Sequence, residues 1–173
     1  SLTTTQLQWS LSLFHNRLDH FIYLTQLLDA SGLPQTDAQG NKTFQYQQSA
    51  ARLLGFESEI KWHPSFLPQW NMTSSIAYVH GKNLQERFNG KGNQGEWLPL
   101  IPPTTWQGSI EKNWVTNFSW MPNLHVTASW ESAAAQNRYL ALYGTETRTA
   151  AYTLFHLGWG TSLTLGSKRQ LSI

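Results

Sequence analysis

The segment AARLLGFESEIKWHPSF, residues 50–66, decides the fold. Side chains alternate across an extended chain, so a period of two sorts these residues onto two faces. One face carries Leu54, Phe56, Ser58, Ile60 and Trp62; the other carries Leu53, Gly55, Glu57, Glu59, Lys61 and His63. A long β-strand with a greasy, tryptophan-ended face and a charged face needs different surroundings on its two sides.

The same period recurs along the chain, and no helical period competes with it. In QLQWSLSLFH the apolar phase is Leu7, Trp9, Leu11 and Leu13, and in WNMTSSIAYVHG it is Trp70, Met72, Ile76 and Tyr78. TWQGSIEKNW gives Trp106, Ile110 and Trp114, with Lys112 the single misfit; LHVTASWES gives Leu124, Val126, Ala128 and Trp130. TLFHLGWGTSLTL gives Phe155, Leu157, Trp159, Leu163 and Leu165, set against His156, Gly158, Gly160, Ser162 and Thr164. HFIYLTQLL is apolar on both phases. About seven strands are expected, with a further short one at KTFQYQQ.

The connections alternate in length. Short turns are expected at NRLD (16–19), PSFLPQ (64–69) and TNFSWMPN (116–123), and long polar loops at 29–41, 81–103 and 136–149. Short turns on one side and long loops on the other are the pattern of an outer-membrane β-barrel, although a soluble up-and-down barrel also alternates its loops. Most strands here run to ten residues or more, whereas globular strands average about 5–6 and a membrane strand needs about 9–11. Seven of the nine Trp fall on an apolar phase, and Trp62, Trp70, Trp114 and Trp120 cluster at the short turns, where an interfacial girdle would lie. The reading that follows is all-β: an antiparallel up-and-down meander of about 7–8 strands, part of a transmembrane β-barrel. Glu57, Glu59, Lys61 and His63 then face a wet lumen, and Leu54 to Trp62 face lipid.

Composition bounds the function. The 173 residues are 13% charged and 13% aromatic, with a net charge of +2, too small and too scattered for a nucleic-acid partner. The absence of Cys excludes thiol nucleophiles, disulfides and thiolate metal sites. The six His show no metal-ligand spacing, so no metal site and no cofactor site is expected. Glu57 and Glu59 lie about 7 Å apart on one face, a pair that suggests glycoside hydrolysis, but lumen acids bound to water or a plug explain them better. GKGNQG lacks the phosphate-loop pattern and reads as a loop tip. No nucleophile, base and orienting group occur together, so no catalytic residue is assigned and an enzyme is the remotest reading. Pattern alone leaves a second class open: a soluble β-barrel or sandwich that holds a small apolar ligand or a carbohydrate against its Trp residues.

Four segments bear a family resemblance. ARLLGFESEIKW (51–62) resembles the stretch in which TonB-dependent outer-membrane receptors run through an ARxxGFExE-like core into a barrel strand. LPLIPPTTWQGSI (98–110) is similar to the LPxIPPxR stretch that opens a later strand, and ETRTAAYTLFHLGWG (146–160) to ETxTxGYTLLNLGxG. FHNRLDHFIYL (14–24) looks like the tight periplasmic turn before the core. The sequence departs at Thr104 or Thr105, one of which stands where an Arg is common after the double proline, and at Ala151, where a Gly usually precedes the Tyr.

The resemblance implies a receptor of the Gram-negative outer membrane that imports a scarce chelate, most simply a ferric siderophore. It implies a 22-stranded barrel, a plug domain, and energy delivered by the TonB complex through an N-terminal box. Neither plug nor box is visible in residues 1–173, and Ile173 is not the terminal aromatic of most such barrels, so the chain is expected to be a later part of the barrel without its last strands. Its expected partners are outer-membrane lipid, the receptor's own plug and remaining strands, the TonB complex, and an iron chelate at the extracellular loops. Studied alone, it would self-associate through its sheet edges. Arg87, Phe88, Trp97, Arg138, Tyr139, Tyr143 and Arg148 stand in the long loops, where forked donors and aromatic faces suit an anionic aromatic chelate. None is singled out as a site, since each reads more readily as an ordinary loop residue.

Overall fold

The computed structural model describes residues 1–142 and 145–163 in full, and 164–165 and 169–172 as backbone. They form one antiparallel sheet whose spatial order is the chain order, from β1 (Leu2–Thr3) and β2 (Leu7–Gln26) through β3 (Phe44–Trp62), β4 (Trp70–Asn83) and β5 (Thr105–Phe118) to β6 (Met121–Ala133), β7 (Tyr152–Leu165) and β8 (Arg169–Ser172). No α-helix occurs among the described residues, and no helix is long and apolar enough to cross a membrane.

Register carries the faces from strand to strand. Leu13 pairs with Phe56 and Phe56 with Tyr78; Ile76 pairs with Trp106, Ile110 with Ala128, and Ala128 with Leu157. Paired residues in an antiparallel ladder point to the same side, so the apolar phases read from separate segments all fall on one face. Glu59, Ser75, Gln107, Glu131 and Leu154 follow one another in the same way across the opposite, polar face.

Among the described residues, no second layer covers the apolar face. Phe155 and Leu157 are 81% exposed, and Trp106 and Trp114, in mid-sheet, are 47% and 39% exposed. The buried hydrophobic residues Tyr23, Ala51, Phe88, Leu98, Ala133 and Leu140 all belong to the loop end of the sheet. A soluble barrel or sandwich would hide this phase; a membrane barrel shows it to lipid. Two aromatic bands bound it. Trp70 and Tyr78 on β4, and Trp106 and Trp114 on β5, are eight residues apart. That is about 26 Å along a strand and about 20 Å of membrane depth at a tilt near 40°. Lys112, the misfit in the apolar phase, lies in the lower band with its ammonium 4.8 Å from the Trp70 ring and 5.6 Å from the Trp114 ring. A cation held by two indoles at the interface costs little, where the same charge at mid-membrane would cost about 2–4 kcal/mol. The indoles of Trp9 and Trp106 donate to the hydroxyl oxygens of Ser58 and Ser74 at 2.9 Å, which satisfies two N–H groups on this face.

Two segmentations expected from sequence change. NRLD is not a turn: β2 runs unbroken through it, with Asn16 opposite Leu53 and Arg17 opposite Arg52. The register slips by one residue between Leu18 and Phe21. A bulge exchanges the two faces of a strand. Leu13 lies on the apolar face before it, and Ile22 and Leu24 lie there after it. The apparent loss of period in HFIYLTQLL is this exchange. The resemblance of FHNRLDHFIYL to a periplasmic turn fails for the same reason; the short connection before β2 lies at Thr4–Gln6, closed by Thr4. KTFQYQQ is likewise the opening of β3 rather than a separate strand. Short connections therefore lie at 4–6, 63–69 and 119–120, and long ones at 27–43, 84–104 and 134–151. The Leu165 side chain, Tyr143 and Ile173 lie outside the described residues.

Two glycines are dictated by packing. A Cβ at Gly55 would collide with the Tyr78 carbonyl and with the ring of Phe14, which lies across it from β2 on the polar face. On the apolar face, a Cβ at Gly108 would enter the Trp130 ring, itself 5.4 Å edge-to-face from Trp106.

These assignments yield two predictions. In the bilayer-reconstituted protein, a fluorophore on Ile76→Cys or Leu157→Cys is quenched by nitroxide-labelled acyl chains, and one on Ser75→Cys or Ser129→Cys is not; the reverse pattern would overturn the face assignment. Gly55→Ala lowers stability by about 1–3 kcal/mol through overpacking, whereas Gly158→Ala, with open space around it, does not. Equal thermal midpoints for the two variants would show that the Phe14 contact is dispensable.

Candidate functional site

The lower polar face is a hydrogen-bonded wall. Lys61 pairs with Glu59 at 3.2 Å, His63 Nδ1 lies 2.6 Å from Asn71 Oδ1, and the amides of Asn71 and Asn113 donate to Glu111 Oε1 at 3.1 and 2.7 Å. Thr73 and Ser109 share a hydroxyl contact of 2.7 Å. Glu57 and Glu59 are both exposed on one strand, and their spacing is that of alternate residues on a wetted face.

The other end of the sheet is capped by its loops. In loop 84–104, residues 96–98 run beside the end of β4: Asn83 N–H donates to the Glu96 carbonyl at 2.7 Å, and Leu98 N–H to the Gly81 carbonyl at 3.2 Å. Leu98 and Ile101 fill the space over Gly81 on the polar side. Loop 134–151 is tied to this segment through Glu146, which accepts from the Leu100 and Leu140 amides at 2.6 and 2.8 Å, and through Ala141 N–H to the Asn93 carbonyl at 2.8 Å. Leu98 and Leu140 are fully buried beneath. Loop 27–43 is built differently, from two turns of one design eight residues apart. Asp29 accepts from the Ser31 and Leu33 amides, and Asp37 from the Gln39 and Asn41 amides, all within 2.8–2.9 Å. Gly32 and Gly40 supply the left-handed residue in each. The side-chain amide and backbone N–H of Asn41 hold the Asp37 carboxyl below its ordinary pKa.

The loop residues noted from sequence separate under this geometry. Phe88 is buried beneath Gly95, with the Arg87 guanidinium 4.5 Å from its ring centroid. Arg148 is exposed. Trp97 and Arg138 do come together: the His80 ring packs edge-on against Trp97 at 5.3 Å, and Arg138 Nη1 donates to Tyr78 Oη at 2.6 Å and lies 3.0 Å from His80 Nδ1. Lys82 lies over Trp97 at 5.9 Å and pairs with Glu96. Tyr78, His80 and Lys82 share the phase of Trp70 and Ile76, so this cluster stands on the outer, apolar side of the wall and not over the lumen. His80 and Lys82 drew no site reading from the sequence because they continue the period of the apolar phase past Tyr78, where the residues cease to be apolar; that change of character is the available signal. Among the described residues, no three His, Asp or Glu are grouped as a metal site.

Glu96 is the latch of the long loop. The Lys82 ammonium, with help from the Gly92 N–H, holds its carboxyl below the ordinary carboxylate range against the opposing effect of burial. A carboxyl depressed by folding contributes stability above its unfolded pKa and loses it as pH falls through the folded one. Protection of the amides of residues 84–98 from hydrogen exchange, taken relative to the intrinsic rate at each pH, therefore stays high at neutral pH and falls as pH drops through the depressed range of the Glu96 carboxyl, and in Glu96→Gln it is low throughout. An unchanged pH profile in Glu96→Gln would remove Glu96 as the cause.

A family profile described as "TonB dependent receptor-like, beta-barrel" matches residues 2–170. Among solved structures, one titled "Copper transporter OprC" superposes with a TM-score of 0.68 at 19% identity, over 98% of this chain and 22% of that chain. The likeness to that structure establishes the fold, and the chain spans about a fifth of its length. With a match over nearly all its residues, a meander that shows one apolar face, and long loops at one end only, the chain belongs to the TonB-dependent receptor β-barrel family.

Proposed function

We propose that residues 1–173 form part of the wall of an outer-membrane receptor that actively imports a metal chelate, a ferric siderophore in the first instance. A β-barrel of this family lies in the outer membrane of a Gram-negative bacterium. The observation that carries the reading is the register itself: across six long strands the apolar phases fall on one face and the polar phases on the other, which supports lipid outside the one and water inside the other. On this reading the rest of the receptor supplies the plug and the remaining strands, and the TonB complex supplies energy. The protein transports and does not catalyse.

What supports a chelate as cargo is the chemistry of the loops. Arg87 and Arg148 are exposed there and offer forked donors to an anion. The solved neighbour's title names copper, but this chain has no Cys and only two Met, so it brings little soft ligation for a bare copper ion. A ready-made chelate needs no ligand from the wall.

Uptake tests the cargo. Cells expressing the whole receptor take up radiolabelled iron from at least one member of a ferric-siderophore panel, and lose that uptake on deletion of either the receptor or TonB. Accumulation of copper with no iron chelate transported would overturn the siderophore reading and leave the barrel assignment standing.

A further inference from the structure

Above the upper aromatic band, the outer face changes sign. Arg17 pairs with Arg52 across β2 and β3, and Arg52 with Lys82 across β3 and β4, so three basic residues stand in one row on adjacent strands. The row lies four residues beyond Tyr78, about 13 Å along the strand and about 10 Å of height after the tilt. Arg138 adds a fourth cation from its loop, held against Tyr78 at 2.6 Å. Like charges directly opposite in a ladder are destabilising. Here two carboxylates answer the four cations: Asp19, 3.8 Å from Arg17 and exposed, and Glu96 on Lys82. Arg52, in the centre of the row, has no ion pair among the described residues, and its Nε is buried without a hydrogen-bond partner.

A basic cluster above an aromatic belt, on the lipid-facing side of a wall, lies at the height of the membrane headgroups and within reach of long side chains. We propose that this row binds the phosphate of an outer-leaflet lipid headgroup, with Arg52 at the centre and Arg17, Lys82 and Arg138 around it. The phosphate supplies the negative charge that the row lacks, and guanidinium groups match its oxygens in pairs. The bound lipid is a fixed part of the outer wall. The inference rests on the outward orientation of the apolar face and is independent of the cargo, so transport can fail for every chelate without affecting it.

The test uses the whole receptor purified in a neutral detergent, with diphosphorylated lipid A, the same lipid with its phosphates removed, and inorganic phosphate as probes, read by native mass spectrometry and by salt-dependent binding. The phosphorylated lipid is retained and released by salt, and the dephosphorylated one is not retained. The combined variant Arg17→Gln, Arg52→Gln, Lys82→Gln weakens retention at least about tenfold, while Arg52→Lys retains most of it and Lys112→Gln, in the opposite band, leaves it unchanged. Heat-modifiable gel migration confirms that each variant is folded. Equal retention of both lipids, or full retention by the folded triple variant, would overturn the proposal. So would inorganic phosphate displacing the lipid at an equal concentration, which would identify a free-anion site.

Discussion

Backbone hydrogen bonding in hydrocarbon is the constraint on which the rest of this structure depends. Water is absent from the membrane core, so every N–H and C=O of a crossing strand must find a partner on its neighbour. An unbroken antiparallel ladder meets that demand, and an unbroken ladder fixes register. Register in turn fixes the side of every residue, because a slip of one position would send an entire apolar phase into the lumen. The single slip in β2, between Leu18 and Phe21, lies beyond the upper aromatic band and level with the basic row. There the chain is near water again and a change of face carries little penalty. A bulge at Leu11 would have turned Leu13 into the lumen.

The same constraint explains what could be read from sequence. Within the membrane the two phases of each strand face lipid and water, so period two is clean in β4, β5, β6 and β7, and those strands are legible. Above the membrane both faces of β2 and β3 meet loops or solvent, and the alternation carries less information. HFIYLTQLL and KTFQYQQ lie in that zone, and there the bulge and the loss of contrast made one long strand look like two. Asn16, Arg17 and Asp19 reinforced the error, since a cluster of polar residues between apolar runs is the ordinary mark of a turn. Only the pairing of Asn16 with Leu53 and Arg17 with Arg52 shows otherwise, and pairing is a long-range property.

The loop residues were harder to read, for a related reason. That Trp97 offers a stacking face and Arg138 a forked donor is visible in their side chains; which side of the wall they stand on is not. Trp97 stands on the outer face because residues 96–98 add to the edge of β4 beyond the end of β5, and its partner there is Lys82. Arg138 follows because Tyr78 and His80, from β4, offer it an acceptor and a neighbour. Residues that looked like ligand contacts in the sequence thus line the outside of the barrel. The buried residues of the same loops, Leu98, Leu140 and Phe88, hold the mouth in shape.

The two ends of the wall treat positive charge differently, and the difference follows from what lies outside each. At the short-turn end, Lys112 is the only cation of the apolar phase in β5, and it is held between two indoles with its charge at the interface. At the long-loop end, Arg17, Arg52 and Lys82 stand opposite one another in a ladder that would separate them if they faced only water. A row of like charges persists when the surroundings supply the opposite sign. Asp19 and Glu96 do so at its two ends, but the centre at Arg52 has no carboxylate among the described residues. The lattice of strands holds these cations in place for reasons of backbone pairing, and the layer they face, at headgroup height, is the place from which the missing negative charge can come.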